Sequence, residues 1–245
     1  MLSLYVHFTQ LHIAAGTAAV MTFWLTAFLP KGSEKDKKPT SQIYSKKSHK
    51  THVRLGWVYA VAMILLSVSG YAMSLLVLMA PSEIHPTSSA KEAYELSLFL
   101  SYLGTCSLVT VTNGIVHARF RGNPEILDHG TMRLINGLAL ALGLGSLVYG
   151  IIHGPILFAG LSLVGISIGG GYFLSLRKKT HWRAEHISSM VGAGIAVHTG
   201  LIAGGGSRFL PDWVSQLGVW AWMLPALAGS IGATYWVRKY TKVTP

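Results

Sequence analysis

Long apolar runs alternate with short polar, mostly basic intervals along this chain. Seven runs reach the roughly 20 mainly apolar residues that a membrane-spanning helix needs. They are Leu4–Leu29, Val53–Ala80, Glu92–Ala118, Met132–Ile152, Pro155–Leu176, Glu185–Gly205 and Val214–Val237. The pattern predicts an all-α integral membrane protein, a seven-transmembrane helix bundle forming one domain over residues 1–245. The intervals carry stop signals: Pro30, Pro81 and Pro211 follow runs, and Pro155 suits a first helical turn, where its missing N–H costs nothing. Only His153-Gly154 separates the fourth and fifth runs, which predicts a tight helical hairpin. Pro225 predicts a kink in the seventh, one that neighbouring helices can tolerate.

Composition agrees and charge adds an orientation. The chain is 51% hydrophobic and 12% charged, against about 25% charged in an ordinary soluble domain. Of its 20 lysines and arginines, eight lie in Lys31–Arg54, three at Arg119, Arg121 and Arg133, four in Arg177–Arg183 and three after Val237. With seven crossings all of these fall on one side, leaving only Lys91 and Arg208 on the other. The positive-inside rule then puts the N-terminus outside and the C-terminus in the cytoplasm, with 31–52 a basic cytoplasmic loop. The net charge of +11 belongs to topology and to anionic lipid headgroups. It forms no groove-binding motif, which excludes nucleic acid and leaves the lipid bilayer as the first partner. Trp213 at the outer end, with Trp236 and Tyr240 at the inner, fits interfacial aromatic belts. Cys106 is the single cysteine, so neither an internal disulfide nor a cysteine-rich metal site can form. The start, Met1-Leu-Ser-Leu-Tyr, lacks the basic opening of a signal peptide, and the first span is expected to be retained.

Histidines carry the candidate chemistry, because an ionisable side chain inside a span is costly and by default marks function. His12 lies eight residues into the first run, and His198 seven short of the end of the sixth. Those positions are roughly 12 and 10 Å from the outer surface, an outer level. His52, His117 and His186 lie where runs meet basic intervals, an inner level. Two levels of imidazole on different helices suit one or two b-type haems with histidine axial ligands. The assigned cofactor- and metal-binding residues are therefore His12 with His198, and His52 with His117 or His186. Gly16, Gly56, Gly114 and Gly194 stand three or four residues from these histidines and could give a flat macrocycle room. Spans use small residues for helix packing as well, as Gly165 with Gly169 and Gly200 with Gly204 illustrate. Asn113, four before His117, is placed either to orient that ring or to bridge helices. No Asp or Glu lies deep in a span, which lowers the case for a proton-coupled pump, and no residue is assigned a catalytic role.

His52-Val-Arg54-Leu-Gly56-Trp-Val-Tyr59, after a basic interval beginning Lys31-Gly32, and His186-Ile-Ser-Ser-Met190 opening a later span, resemble a family of bacterial multi-pass membrane proteins of unknown function. The resemblance runs from about His12 to Gly206 and implies the bacterial cytoplasmic membrane. The two levels of histidine are more loosely similar to transmembrane two-haem cytochromes b and ferric-reductase-like proteins. Those carry histidine pairs along two helices, whereas here only the sixth run has such a pair, His186 and His198. The expected function is a cytochrome b-like electron-transfer protein, with a quinone or another redox protein as partner. The alternatives are a transporter or sensor of a metal ion or small molecule using the same histidines, or a non-catalytic membrane subunit.

Overall fold

A computed structural model describes residues 1–28, 39–121, 123–153, 156–178, 180–205 and 218–241. Pro30, Gly154, Pro155, Lys179, Arg208, Pro211 and Trp213, and the 31–38 part of the basic interval, lie outside the described residues. Every described element is helical. In order they are α1 (Leu2–Phe28), α2 (Pro39–Met79), the short α3 (Pro81–Ile84), α4 (Ala90–Phe120), the short α5 (Pro124–Leu127), α6 (Gly130–His153), α7 (Ile156–Lys178) and α8 (Trp182–Thr199). A π-helical turn (Gly200–Gly205) follows, then α9 (Val219–Thr241). Among the described residues five helices are long and apolar enough to cross a membrane: α1, the Ser48–Met79 part of α2, α4, α6 and most of α7. That makes the chain a helical protein of multi-pass membrane type. The described parts of the sixth and seventh runs are helical too, in α8 with its π-helical turn and in α9, which continues through Pro225, but neither is among the five.

Helix ends follow local chemistry. Ser89 and Glu92 form a capping box at the start of α4: Ser89 Oγ accepts from the Glu92 N–H (3.2 Å) and Glu92 Oε2 from the Ser89 N–H (3.0 Å). Arg121 closes α4 in the left-handed region (φ 48°). His181 caps α8, its Nδ1 accepting from the Arg183 N–H at 3.2 Å. Part of the expected basic loop is not a loop: α2 begins at Pro39 and carries residues 39–52 as helix ahead of its apolar stretch. Proline is well placed in a first turn, and an apolar-run reading cannot detect a polar helical extension. Asp128 and Arg133 join by paired bonds of 2.7 Å between α5 and α6, and that guanidinium holds the Asp128 carboxyl below its ordinary range.

Packing forms two groups of helices. In the first, α1 lies against α2, α2 against α4, α4 against α8 and α8 against α9. Its core centres on Ala19, Tyr59, Met63, Val111, Ala193 and Val197. The α1–α2 contact is antiparallel, since Thr9 meets Met73, Gly16 meets Leu66 and Phe23 meets Tyr59. In the second group α6 and α7 form the predicted hairpin. The hairpin is backbone against backbone: a Cβ on Gly165 would lie 2.6 Å from the Ala139 carbonyl oxygen, and one on Gly169 2.5 Å from that of Asn136. A Cβ on Gly200, by contrast, would meet nothing within 4 Å, so close helix packing does not demand glycine there.

Polar side chains tie the groups together. Asn113 on α4 and Asn136 on α6 exchange amide hydrogen bonds of 2.8 and 3.0 Å, and Asn136 also donates to the Met132 carbonyl (2.9 Å). Of the two roles open to Asn113, the bridge between helices is the one realised. Tyr102 on α4 donates to the Leu161 carbonyl (2.9 Å) and accepts from the Gly165 N–H (2.9 Å) of α7. Asn136→Ala strands both polar ends of a buried Asn113, and is expected to cost about 2 kcal/mol. Thermal unfolding in detergent checks this: a midpoint equal to wild type would show that the amide pair is not a structural tie.

Candidate functional site

The inner histidines converge where α4 crosses α8. His186, in the second turn of α8, donates Nδ1–H to the Gly114 carbonyl of α4 at 2.9 Å. That carbonyl points toward the C-terminal end of α4, where His117 follows three residues later. His117 is 4% exposed, lies within electrostatic reach of His186, and its Nδ1 is buried without a hydrogen-bond partner. The local fold accounts for the crossing. Gly114 lets α8 come close: a Cβ there would sit 3.0–3.1 Å from three side-chain atoms of Met190, one turn after His186. Tyr59 of α2 donates to the Met190 carbonyl at 3.1 Å and fastens a third helix to the same place. His52 stands two turns before Tyr59, half-buried on the same face of α2. Sequence left His117 and His186 as competing partners for His52; the structure makes those two neighbours.

The outer histidines do not come together. His12 on α1 is half-buried, with Nδ1 3.1 Å from Ser69 Oγ and its ring over Gly70 of α2. His198 on α8 instead meets the other end of α1. Its Nε2 accepts from the Trp24 indole N–H at 2.9 Å and its Nδ1–H donates to the Gly194 carbonyl at 2.7 Å. Phe23 and Trp24 also edge the ring, with centroids at 5.5 and 5.6 Å. Trp24 is 12 residues from His12, about 18 Å along α1 and about 120° around it. Depth counted from span ends assumes upright helices, whereas α8 touches α1 only over a short crossing that carries His198 toward the far end of α1. Both ring nitrogens of His198 are thus engaged, and a metal could take it only by breaking the Trp24 bond.

The glycines proposed as clearance for a macrocycle are mostly filled by neighbouring helices. A Cβ on Gly16 would touch Leu66, one on Gly114 Met190, and one on Gly194 the Phe23 ring; only Gly56 faces open space. The remaining histidines serve locally: His7 Nδ1 lies 2.6 Å from the Ser3 carbonyl oxygen, His153 packs on Tyr149, and His129 Nδ1 accepts from the Thr131 N–H. Among the described residues no three His, Cys, Asp or Glu side chains gather as a metal-binding group.

A cavity of about 1290 Å³ is lined by residues of both levels. It runs from Tyr5 and His85 at one end to His117 and Glu185 at the other, walled by α1, α2, α4, α7, α8 and α9. His12 and His117 both line it. Its remaining lining is largely leucine, valine, isoleucine, glycine and serine, a composition suited to a mainly apolar occupant with few polar groups. Sequence reasoning missed Ser67, Ser69 and Trp24, the partners that set the state of the cavity and of the outer histidines. Their signal depends on helix rotation, which one chain's pattern does not fix.

Compared with protein-family profiles, curated proteins and solved structures, the chain matches none.

Proposed function

We propose that this protein is a membrane-embedded electron-transfer protein that holds a b-type haem at the inner histidines. The observation that carries the reading is the pairing at the α4–α8 crossing. His186 is oriented by a backbone carbonyl through Nδ1, the arrangement that orients ligating imidazoles in general. Beside it, His117 has a buried ring nitrogen with no protein partner. Such a nitrogen costs free energy unless a ligand engages it. The residues fit the group in kind: haem takes one or two axial imidazoles from the protein, and the adjoining cavity is large and apolar. His117 and His186 would hold it, with His52 the further inner candidate, and when bound it supplies one-electron oxidation and reduction. The chain's own part is to orient the His186 imidazole, through the Gly114 carbonyl, and to exclude water. His12 stands apart as a second, single-histidine position, and His198 serves α1–α8 packing.

In this reading the chain crosses the bacterial cytoplasmic membrane seven times with the N-terminus outside, and exchanges electrons with a quinone or a redox protein. The antiparallel α1–α2 and α6–α7 contacts and the one-sided basic residues support that topology. The test is an absorption spectrum of protein purified from haem-replete cells, oxidised and then reduced with dithionite. A Soret band that sharpens with α and β bands on reduction is expected. Folded protein without a Soret band rejects the haem.

A further inference from the structure

The cavity has a second polar station, far from His117. Ser67 of α2 lines it, is 3% exposed, and its Oγ has no hydrogen-bond partner. Nearby hydroxyls are satisfied within their own helices: Thr9 donates to the Tyr5 carbonyl (2.8 Å) and Thr110 to that of Cys106 (2.5 Å). The Ser67 backbone lies beside Gly104, which precedes His117 by 13 residues. The two unpartnered groups are therefore about 20 Å apart along α4, and one small head group cannot serve both.

Ser67 has a complement in His12. Ser69 Oγ gives its own proton to the Leu65 carbonyl (2.7 Å), so it accepts from His12 Nδ1–H. Nε2 is then the His12 nitrogen that carries the lone pair. The His12 ring lies 3.4 Å from the Cβ position of Gly70, and Gly70 stands one turn from Ser67 on the same face of α2. One cavity wall thus presents a hydroxyl donor and an imidazole acceptor a helical turn apart.

Depth selects the class of ligand. His12 lies ten residues after Leu2, and Ser67 twelve before Met79. These are about 15 and 18 Å of helix, near the middle of a hydrocarbon core about 30 Å thick. A phospholipid keeps its charged head at the surface, because charge at the midplane is expensive. A neutral ring with carbonyl and hydroxyl oxygens can enter. In the quinol one ring hydroxyl oxygen accepts from Ser67 O–H and the other hydroxyl donates to His12 Nε2, while Leu100, Leu103, Val164 and Ile168 offer apolar wall for a long tail. We infer that this wall is a binding site for an isoprenoid quinone or quinol, with its ring held between Ser67 and His12. Its electron-transfer role rests on the haem reading above; its binding does not.

The test uses the full chain in nanodiscs of phosphatidylethanolamine and phosphatidylglycerol, titrated anaerobically with radiolabelled decyl-ubiquinol and with a short-chain menaquinol analogue. Saturable binding of one of them to a single site is expected. Ser67→Ala and His12→Phe should each weaken it about ten-fold, Ser67→Thr should keep most of it, and His153→Gln at the end of α6 should leave it unchanged. Circular dichroism confirms that each variant is folded. The site is overturned if neither analogue binds saturably, if folded Ser67→Ala and His12→Phe bind like wild type, or if tightly held phospholipid occupies the cavity and neither analogue displaces it. The radiolabel reads binding with or without a Soret band. Quinol binding by haem-free protein rejects the haem alone, and haem-loaded protein that binds no quinol rejects this site alone.

Discussion

Replacing His117 or His186 by alanine is expected to abolish haem retention, while His198→Ala leaves the Soret band at wild-type intensity. The contrast follows from what each ring already touches. His198 spends Nδ1 on the Gly194 carbonyl and Nε2 on the Trp24 indole, so its loss loosens the α1–α8 contact and withdraws no available coordinating nitrogen. His117 has a buried nitrogen with no protein partner, and His186 of α8 is held by the carbonyl of Gly114, one turn before His117 on α4. If His117 and His186 hold a haem as proposed, losing either imidazole would remove a metal–nitrogen bond, an effect far larger than a lost hydrogen bond. Haem per protein, measured by the pyridine haemochrome assay on detergent-purified variants, should fall to background for both inner variants. Imidazole added to His186→Gly should restore part of the band, because the vacated volume admits the free ligand. Full haem content in folded His117→Ala and His186→Ala would remove the inner pair as the site. A band lost only in His198→Ala would restore the outer level to first place.

The sequence exposed the elements well and their contacts poorly, and the reason is physical. Apolar run length reports where a helix is buried in lipid or protein. The third run, expected at Glu92–Ala118, forms α4 over Ala90–Phe120, and the fourth, expected at Met132–Ile152, forms α6 over Gly130–His153. The capping residues Ser89 and Glu92 explain the earlier start of α4. Residues 39–52 escaped, because a polar helical extension has no apolar run to announce it. For the site, the inner level was legible as three histidines at span ends, but choosing among them needs the rotation of each helix. The α4–α8 crossing, permitted by Gly114 and filled by Met190, brings His186 to the turn of α4 that carries His117. The two outer histidines do not meet, because equal depth is not proximity: His12 turns to Ser69 on α2 and His198 to Trp24, 12 residues beyond His12 along α1.

Gly165→Val and Gly169→Val are expected to be strongly destabilising changes in the α6–α7 hairpin, by about 3 kcal/mol each. A Cβ at Gly169 would lie 2.5 Å from the Asn136 carbonyl oxygen and 2.8 Å from the Leu140 nitrogen. At Gly165 it would lie 2.6 Å from the Ala139 carbonyl oxygen and 2.8 Å from the Tyr102 hydroxyl. These obstacles are backbone and a buried tyrosine rather than the tips of flexible side chains, so the helices must part. Parting them strains what α4 shares with the hairpin: Tyr102 loses register with Leu161 and Gly165, and Asn136 draws away from Asn113, one turn before His117. Damage begun some distance from the inner histidines should therefore lower haem retention together with the unfolding midpoint. Gly171→Ala is the control, since a Cβ there meets nothing within 4 Å, and its midpoint should stay within about 0.5 kcal/mol of wild type. If both valine variants unfold at the Gly171→Ala midpoint, α6 and α7 do not pack this closely. If they unfold early yet keep full haem, the hairpin is separable from the site, and α2, α4 and α8 alone hold the inner histidines in place.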